Sequence, residues 1–475
     1  MSIIEMTAIE LRHAMVAKHM SPIEVLDAFI AQTERADPGI NAFTVTCFDE
    51  ARQAAKATEA KIMGGEPLGL IEGLPLAIKD MSLTKGMRST MGSLIYADQI
   101  PDHDDLVVSF VREEGAVITG KTNTTEFGAG NNTTNRVFGA TVNPFDPART
   151  SGGSSGGAGA ALACNMVPIA TGSDTGGSLR VPATFCGITS LKPTPGLIPF
   201  ERRTFPFWPF QLQGAMARNV DDVGLLTAAM ARDHGIDPMS YPRDQGGFLN
   251  LDSADLKKLR VAFSPDLGFA PTSKMIRRIF AARTARFADA FGAADEASPD
   301  LSKAKRVNWV IRGLQYRAAH KRHYEEHKDD LGPTVRLNYE QSLDLEVDDI
   351  TEAFVAHGEL HREMERFFGE YDVLICPGAT VTPFPVEDHY PRVVDGVEQD
   401  TYVAWAGLTN ALSTCGNPVV ALPCGVDEEG MPFGFQVVGP RRSDAFLLRV
   451  AKALEAIFTA DPEMARPVAD VARPS

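Results

Sequence analysis

The sequence predicts an α/β protein with a twisted, mixed central β-sheet sandwiched by α-helices. Short apolar runs of strand length alternate with longer segments of helical period, the pattern expected of this class. Gly156–Asn165, rich in glycine and alanine, adds a helix suited to tight packing against a sheet. The 475 residues suffice for one large domain or two. No clean linker, internal repeat or low-complexity tract divides them, so one domain over 1–475 is expected.

Residues 1–65 read as an N-terminal helical segment. Thr7-Ala8-Ile9-Glu10 has the form of a capping box, with Thr7 as N-cap and Glu10 reaching back. Ser21-Pro22-Ile23-Glu24 has the same form, with proline at the first helical position. Val25, Phe29 and Ile30 mark that helix's apolar stripe, and a third helix is expected from Phe48 to Ile62. Residues 66–240 form the core segment. A short strand over Leu74–Ile78 ends at Lys79-Asp80, a helix covers 104–114, and Val117–Thr119 is a strand. After the helix at Gly156–Asn165, Val167–Ala170 reads as a strand that stops before a second glycine cluster. Residues 240–370 are more charged and more helical, with a strand at Leu259–Phe263 and helices over 271–291, 305–328 and 350–369. Such a segment suits a cap or an insertion. From 371 the chain returns to the core sheet, with strands at Val373–Cys376, Val419–Leu422 and Phe433–Val438 and a helix over 443–457.

Hydrophobic residues make up 44% and charged residues 23%, ordinary for a soluble globular chain. A formal net charge of −16 argues against a broad nucleic-acid-binding face. Cys47, Cys164, Cys186, Cys376, Cys415 and Cys424 contain no C-x-x-C pair, which argues against a zinc ribbon or a thioredoxin-like site. They read as reduced core residues, with Cys186 and Cys376 buried and inert. The first residues lack a basic region followed by an apolar run, and no stretch approaches the length of a membrane span. The expectation is a cytoplasmic protein with neither a membrane nor a nucleic-acid partner.

Two glycine-rich stretches carry the chemistry. One runs Thr150-Ser151-Gly152-Gly153-Ser154-Ser155-Gly156-Gly157, the other Gly172-Ser173-Asp174-Thr175-Gly176-Gly177-Ser178-Leu179-Arg180. Ser154 and Ser178 each follow two glycines, and glycine lets a backbone pass close to a substrate. Serine needs a base to act as a nucleophile. No histidine lies in either stretch, and the candidate is Lys79 at the end of its apolar strand. A lysine amine serves only when neutral. Its ordinary pKa is about 10.4, so burial must bring it down by roughly 3 pH units, about 4 kcal/mol.

Here the sequence resembles the amidase signature hydrolases over most of its length. The resemblance rests on Gly73-Leu74-Pro75-Leu76-Ala77-Ile78-Lys79-Asp80, Gly120-Lys121-Thr122-Asn123, Asn143-Pro144-Phe145-Asp146 and both glycine stretches. It continues through Phe185-Cys186-Gly187, Leu191-Lys192-Pro193-Thr194 and the block from Gly416-Asn417-Pro418 to Gly439-Pro440. It implies the amidase signature fold, with the catalytic core in 66–240, and a Ser–Ser–Lys triad. Ser178 is then the nucleophile, Ser154 the proton bridge and Lys79 the general base. The N–H groups of Thr175, Gly176, Gly177 and Ser178 form the oxyanion hole. Gly153–Ser154 is cis within a dense hydrogen-bond network that Ser155 supports, and Asp174 and Arg180 form the scaffold beneath the loop. The small residues Gly128, Ala129, Gly130 and Asn131 fall where the family lines its acyl pocket. The resemblance also implies hydrolysis of a carboxylic amide through an acyl-enzyme, no metal or organic cofactor, and pairing into a homodimer.

The aromatic run Phe205-Pro206-Phe207-Trp208-Pro209-Phe210 suggests an apolar aryl or alkyl amide, with Phe207 and Trp208 as pocket wall, although core or lid packing accounts for it equally well. Carbamates and esters stay open, because the same acyl transfer serves them. Leu212-Gln213-Gly214-Ala215-Met216 replaces the Asp-Gln-Ile-Gly-Pro pattern of the A component of glutaminyl-tRNA amidotransferase, which weighs against a glutamine-dependent amidotransferase role. Gly152-Gly153-Ser154-Ser155-Gly156 also fits G-x-S-x-G, the elbow of a Ser-His-Asp α/β-hydrolase esterase, with His389 the one histidine after residue 361. A phosphate-binding loop would need G-K-[ST], and Gly157 is followed by Ala158. His320, His323 and His327, and the pair His357 and His361, sit among Lys321, Arg322, Glu325 and Glu326. They read as a solvated charged face and not as metal ligands.

Overall fold

The computed structural model describes residues 2–242 and 244–470. In chain order the strands are β1 (Phe43–Thr46), β2 (Pro75–Lys79), β3 (Val117–Thr122), β4 (Thr134–Asn135), β5 (Gly139–Ala140), β6 (Ile169–Asp174), β7 (Thr189–Lys192), β8 (Leu212–Ala217), β9 (Arg260–Phe263), β10 (Ala293–Glu296), β11 (Val373–Pro377), β12 (Val393–Val394), β13 (Val397–Glu398), β14 (Val419–Val426) and β15 (Pro432–Val438). The helices are α1 (Ala8–Val16), α2 (Pro22–Ile40), α3 (Phe48–Gly64), α4 (Leu106–Glu113), α5 (Gly156–Ala163), α6 (Arg180–Phe185), α7 (Val220–Met230), α8 (Lys274–Thr284), α9 (Ala304–Glu326), α10 (Pro333–Glu340), α11 (Val347–Phe367), α12 (Gly407–Cys415) and α13 (Asp444–Ala460).

Eleven strands form one sheet in the order β1-β3-β2-β6-β8-β7-β14-β15-β11-β9-β10, with β4/β5 and β12/β13 as separate hairpins. β3, β2 and β6 run parallel, β6 through β11 antiparallel, and β11, β9 and β10 parallel again. The sheet is mixed, as the sequence predicts. Segment 240–370 supplies helices α8–α11 but also β9 and β10 at the sheet's edge, so it is only partly an addition to the core.

Local sequence explains the N-terminal helices. Thr7 accepts from Glu10 N and Glu10 accepts from Thr7 N, which completes the capping box at α1. At α2, Ser21 accepts from Ile23 N but donates to Glu59 of α3 at 2.6 Å. Its hydroxyl is committed to the neighbouring helix, and the expected box with Glu24 does not form.

One strand runs past its expected end where the site begins. β6 runs on through Gly172, Ser173 and Asp174, because β8 pairs with it along its whole length, from Ile169↔Ala217 to Asp174↔Leu212. Gly172 faces Gly214 across that ladder, and a Cβ on either would run into the Leu179 side chain. The glycine pair opens a slot in the sheet into which the residue after Ser178 packs. α5 is buried along its whole length, and a Cβ on Gly157 would meet the backbone of Asn123 and Ala42. The tight helix–sheet contact predicted from its composition is present. All six cysteines are buried and free. Among the described residues no helix is long and apolar enough to cross a membrane.

Candidate active site

β2 delivers Lys79 from the buried middle of the sheet, and its side chain is 1% exposed. Its Nζ lies 2.7 Å from Ser154 Oγ, 2.8 Å from Ser155 Oγ and 2.9 Å from Ser173 Oγ. Ser155 Oγ donates onward to Ser173 O at 3.3 Å, so it accepts from the lysine. A neutral amine has two N–H donors and one lone pair. With Ser155 and Ser173 taking the donors, the lone pair is left for the Ser154 hydroxyl. Burial brings the Lys79 amine down to about 7, against the opposing pull of Asp174. That meets the requirement the sequence sets for a lysine base.

The peptide Gly153–Ser154 is cis. With its amide nitrogen facing them, Asn131 donates to Gly153 O at 3.2 Å and Gly130 O at 3.3 Å. Thr133 Oγ1 accepts from Gly156 N at 3.0 Å and donates to Ser154 O at 3.4 Å. Asn131 therefore braces the turn that presents Ser154.

The second serine follows β6. Asp174 ends that strand, and its carboxylate accepts from Gly177 N at 2.8 Å, Leu179 N at 3.0 Å, and Arg180 through Nε at 3.1 Å and Nη2 at 3.0 Å. Burial raises such a carboxyl, but the Arg180 charge and these hydrogen bonds outweigh it and hold Asp174 below its ordinary value. Arg180 reaches on to Gln436 of β15 and Ser413 of α12, which ties the loop to both halves of the sheet. One expectation needs correcting: Gly177 N–H is donated to Asp174 and is withdrawn from the oxyanion hole. Among the described turn and side-chain hydrogen bonds, none takes up the N–H of Thr175, Gly176 or Ser178. Ser155 N donates to Ser178 O at 3.2 Å, which joins the two glycine stretches.

Ser154, Ser173, Thr175 and Ser178 form the floor of a cavity of about 260 Å³. Its walls include Met81, Met91, Phe127, Phe200, Leu212 and His320. Gly128 lines it at φ +72°, with space above Ser154 that a side chain would occupy. Ala129 turns into a small cluster with Tyr316, Leu331 and Val335, and Ala129, Gly130 and Asn131 are absent from the lining. Phe207 and Trp208 do not line the cavity either. Phe207 is 78% exposed, and Trp208 packs edge-on against Phe354 of α11 at 4.7 Å and tilted over His357 at 5.5 Å. Pro206 and Phe207 are exposed while Phe210 is buried in a core cluster against which Trp208 packs, and the wall comes instead from the flanks of the run, Phe200, Arg202, Thr204 and Gln211–Gln213.

A family model described as Amidase matches residues 24–448. The chain belongs to the amidase family.

It is accordingly an amide-hydrolysing enzyme. The chain is 29% identical over 458 residues to an acylamidase of Rhodococcus erythropolis, covering 95% of each chain. It is 31% identical over 481 residues to the A component of a glutamyl-tRNA(Gln) amidotransferase from Picosynechococcus sp., covering 95% of this chain and 98% of the relative. A bacterial aryl acylamidase structure of the amidase signature family superposes with a TM-score of 0.89 at 26% identity, covering 99% of both chains.

In this amidase the histidines of α9 depart from expectation. His320 is buried and His323 half-buried, and both line the cavity. Phe127 lies 4.5 Å from the His320 ring and stacks nearly parallel on His323 at 5.7 Å. Tyr96 Oη and His323 Nε2 share a hydrogen bond of 3.0 Å. Burial pushes His320 down to about 3 and, with neighbouring positive charge, lowers His323. The charged neighbours Lys321, Arg322 and Glu325 occupy the opposite side of the same helix. Tyr316 and His320, four residues apart, share the inward face, and that spacing was the available signal. Ser173 was also missed. It lies two residues after Thr171, whose hydroxyl accepts from Lys79 N at 3.1 Å, so the strand's period of two places both on the lysine's side. His389 hydrogen-bonds to Thr334, not to either serine.

Proposed function

We propose that this amidase hydrolyses an apolar carboxylic amide, aryl or alkyl, to acid and amine through an acyl-enzyme on Ser178. The observation that carries this reading is the buried Lys79 amine, titrating near 7, 2.7 Å from Ser154 Oγ on the floor it shares with Ser178. Neutral Lys79 takes the Ser154 proton while Ser154 takes that of Ser178, whose Oγ attacks the carbonyl carbon. Among the described residues no hydrogen bond joins the two serine hydroxyls, and a serine χ1 rotation closes that gap on substrate entry. The N–H groups of Thr175, Gly176 and Ser178 receive the oxyanion, typically worth about 3–4 kcal/mol per donor in the transition state. The proton returns through Ser154 to the leaving nitrogen and the C–N bond breaks. Water then attacks the ester by the same relay, releasing the acid and restoring Ser178.

Met81, Met91, Phe127 and Phe200 favour an apolar substrate. The neutral imidazoles of His320 and His323 add flat surface without charge. Glutamine, the donor in an amidotransferase, carries a carboxylate and an ammonium. The one cationic side chain in the described lining, Arg202, is already paired with Asp105 at 2.5 Å, which supports hydrolysis of an uncharged amide over that role. Incubation with a fluorophosphonate probe is expected to label Ser178, and a panel of anilides, aliphatic amides, carbamates, esters and glutamine to show turnover of the apolar amides. Undiminished labelling in Ser178→Ala, or glutamine as the best substrate, would overturn the reading.

A further inference from the structure

Arg312 of α9 stands against the nucleophile loop without joining the cavity lining. It is 6% exposed. A Cβ on Gly176 would sit 2.9 Å from its Nη2 and would collide with Asn410 Oδ1, so the missing side chain is what lets the guanidinium approach the loop. Nη1 donates to Tyr402 Oη at 3.1 Å, Tyr316 is a second phenolic neighbour, and Nε is buried with no partner. Among the described residues no carboxylate forms an ion pair with Arg312. Of the other buried guanidiniums, Arg180 pairs with Asp174 at 3.0 Å and Arg203 with Asp237 at 2.6 Å, while Arg218, away from the cavity, is taken up by Asn165 and the backbone carbonyls of Ile4 and Met6; Arg312 differs in standing at the loop that carries Ser178 with its Nε unpartnered. A buried charge without a counter-charge is costly, and groups of this kind gather at functional sites.

We propose that Arg312 is a positioning residue for the oxyanion: a fixed positive charge that acts through the Gly176 peptide on the negative oxygen formed at Ser178. The inference rests on Ser178 being the nucleophile. The counter-charge that the fold leaves out is supplied by the tetrahedral intermediate alone. Arg312 thus favours the transition state over the bound amide, which is what raises kcat. A guanidinium keeps its proton throughout the working range, so its effect does not vary with pH. Tyr402 does not need Arg312 to be satisfied, because its hydroxyl exchanges hydrogen bonds with Asn338 at 2.7 and 3.1 Å.

The test compares R312M and R312K in the full chain, reading kcat, KM, the pH profile, thermal unfolding, and affinity for a trifluoromethyl ketone, which forms an anionic adduct with a serine nucleophile. R312M is expected to lower kcat about 10- to 100-fold and weaken the ketone by the same factor, with KM within about 3-fold. The pH midpoint stays in place, and the unfolding temperature falls by no more than the loss of one hydrogen bond explains, because Tyr402 keeps Asn338 and only the Tyr316 hydroxyl loses its neighbour. R312K, which keeps the charge, recovers most of kcat. The proposal is overturned if kcat of R312M stays within about 2-fold of wild type, if KM rises while kcat holds, or if R312M fails to fold or both variants lose stability and activity together. Fluorophosphonate labelling separates this outcome from failure of the Ser178 reading. R312M retains labelling at Ser178, whereas a wild-type protein labelled elsewhere refutes the nucleophile itself.

Discussion

Lys79 Nζ and Ser154 Oγ are 2.7 Å apart, and among the described residues no carboxylate forms an ion pair with the amine. Its partners are hydroxyls, which accept from the charged form and still serve the neutral one. A carboxylate in the place of Ser155 or Ser173 would keep the lysine protonated and useless as a base.

The amine is neutral above about 7, so kcat/KM should rise through that value to an alkaline plateau. His320 near 3 and the lowered His323 are neutral there and do not set the limb. Between about 7 and 10.5 the unfolded chain holds the proton that folded Lys79 has released. Stability from this group therefore grows as pH rises through that window and is lost as pH falls to about 7. Rate profiles and thermal unfolding measured from pH 5 to 10 check both signs. An unaltered limb in Lys79→Met would refute the assignment.

Ser173→Ala removes one acceptor from the charged amine while leaving Ser154 in place. The acid limb should move to lower pH, by about one unit or less. A limb that moves upward would show that Ser173 does not accept from Lys79.

Asp174→Asn strands the Arg180 guanidinium, since both side chains are fully buried. Loss of one partner from such a pair costs about 3–5 kcal/mol. Chemical denaturation should show a loss of that order, along with a large fall in kcat from the loosened loop. Unchanged stability would mean that Gln436 and Ser413 suffice to hold Arg180.

Gly177 adopts φ +126°, and a Cβ there would lie 2.5 Å from Thr409 Oγ1, which itself donates to Gly176 O at 2.8 Å. Gly177→Ala should shift the loop and cut kcat by about 10²–10³, with a smaller change in KM. Activity near wild type would show that the loop's conformation is not critical.

Phe207, expected in the pocket wall, is exposed, whereas Phe127 lines the cavity. Phe207→Ser, at the surface, should leave kcat/KM for an anilide within about 2-fold, since surface changes are small. Phe127→Ala removes a cavity wall and should weaken aryl substrates by about 1–3 kcal/mol, seen chiefly in KM. The opposite ranking would restore the aromatic run as the pocket.

The legible parts of the fold were those where burial shows as apolar residues. β2, β11, β14 and β15 are buried runs rich in valine, leucine, isoleucine and phenylalanine, and each was visible. β7 and β8 are equally buried, yet they read Thr189-Ser190-Leu191-Lys192 and Leu212-Gln213-Gly214-Ala215-Met216-Ala217. Gly214 leaves the space that Leu179 fills, and Ser190 donates to Leu179 O at 3.2 Å, so both strands pack under the loop that carries Ser178. β10 lies at the sheet's edge and is mostly exposed, so it carries no hydrophobic signal. At the site, Lys79 and both serines stood out because their motifs demand special backbone. His320 and His323 did not, because one helix presents charge outward and imidazole inward at the same time. Phe207 and Trp208 misled because aromatic character alone does not say which way a loop faces.

β6 ends with Asp174, lies beside the strand that carries Lys79, and leads directly into Ser178. Lys79 and the start of the Ser178 loop are thus placed by adjacent strands in mid-sheet, whereas most of the cavity wall comes from α9 and from segments near residues 81–96 and 200–213. Wall residues can change without disturbing the hydrogen bonds around Lys79. Such a division allows substrate range to drift quickly while the reaction itself is inherited intact.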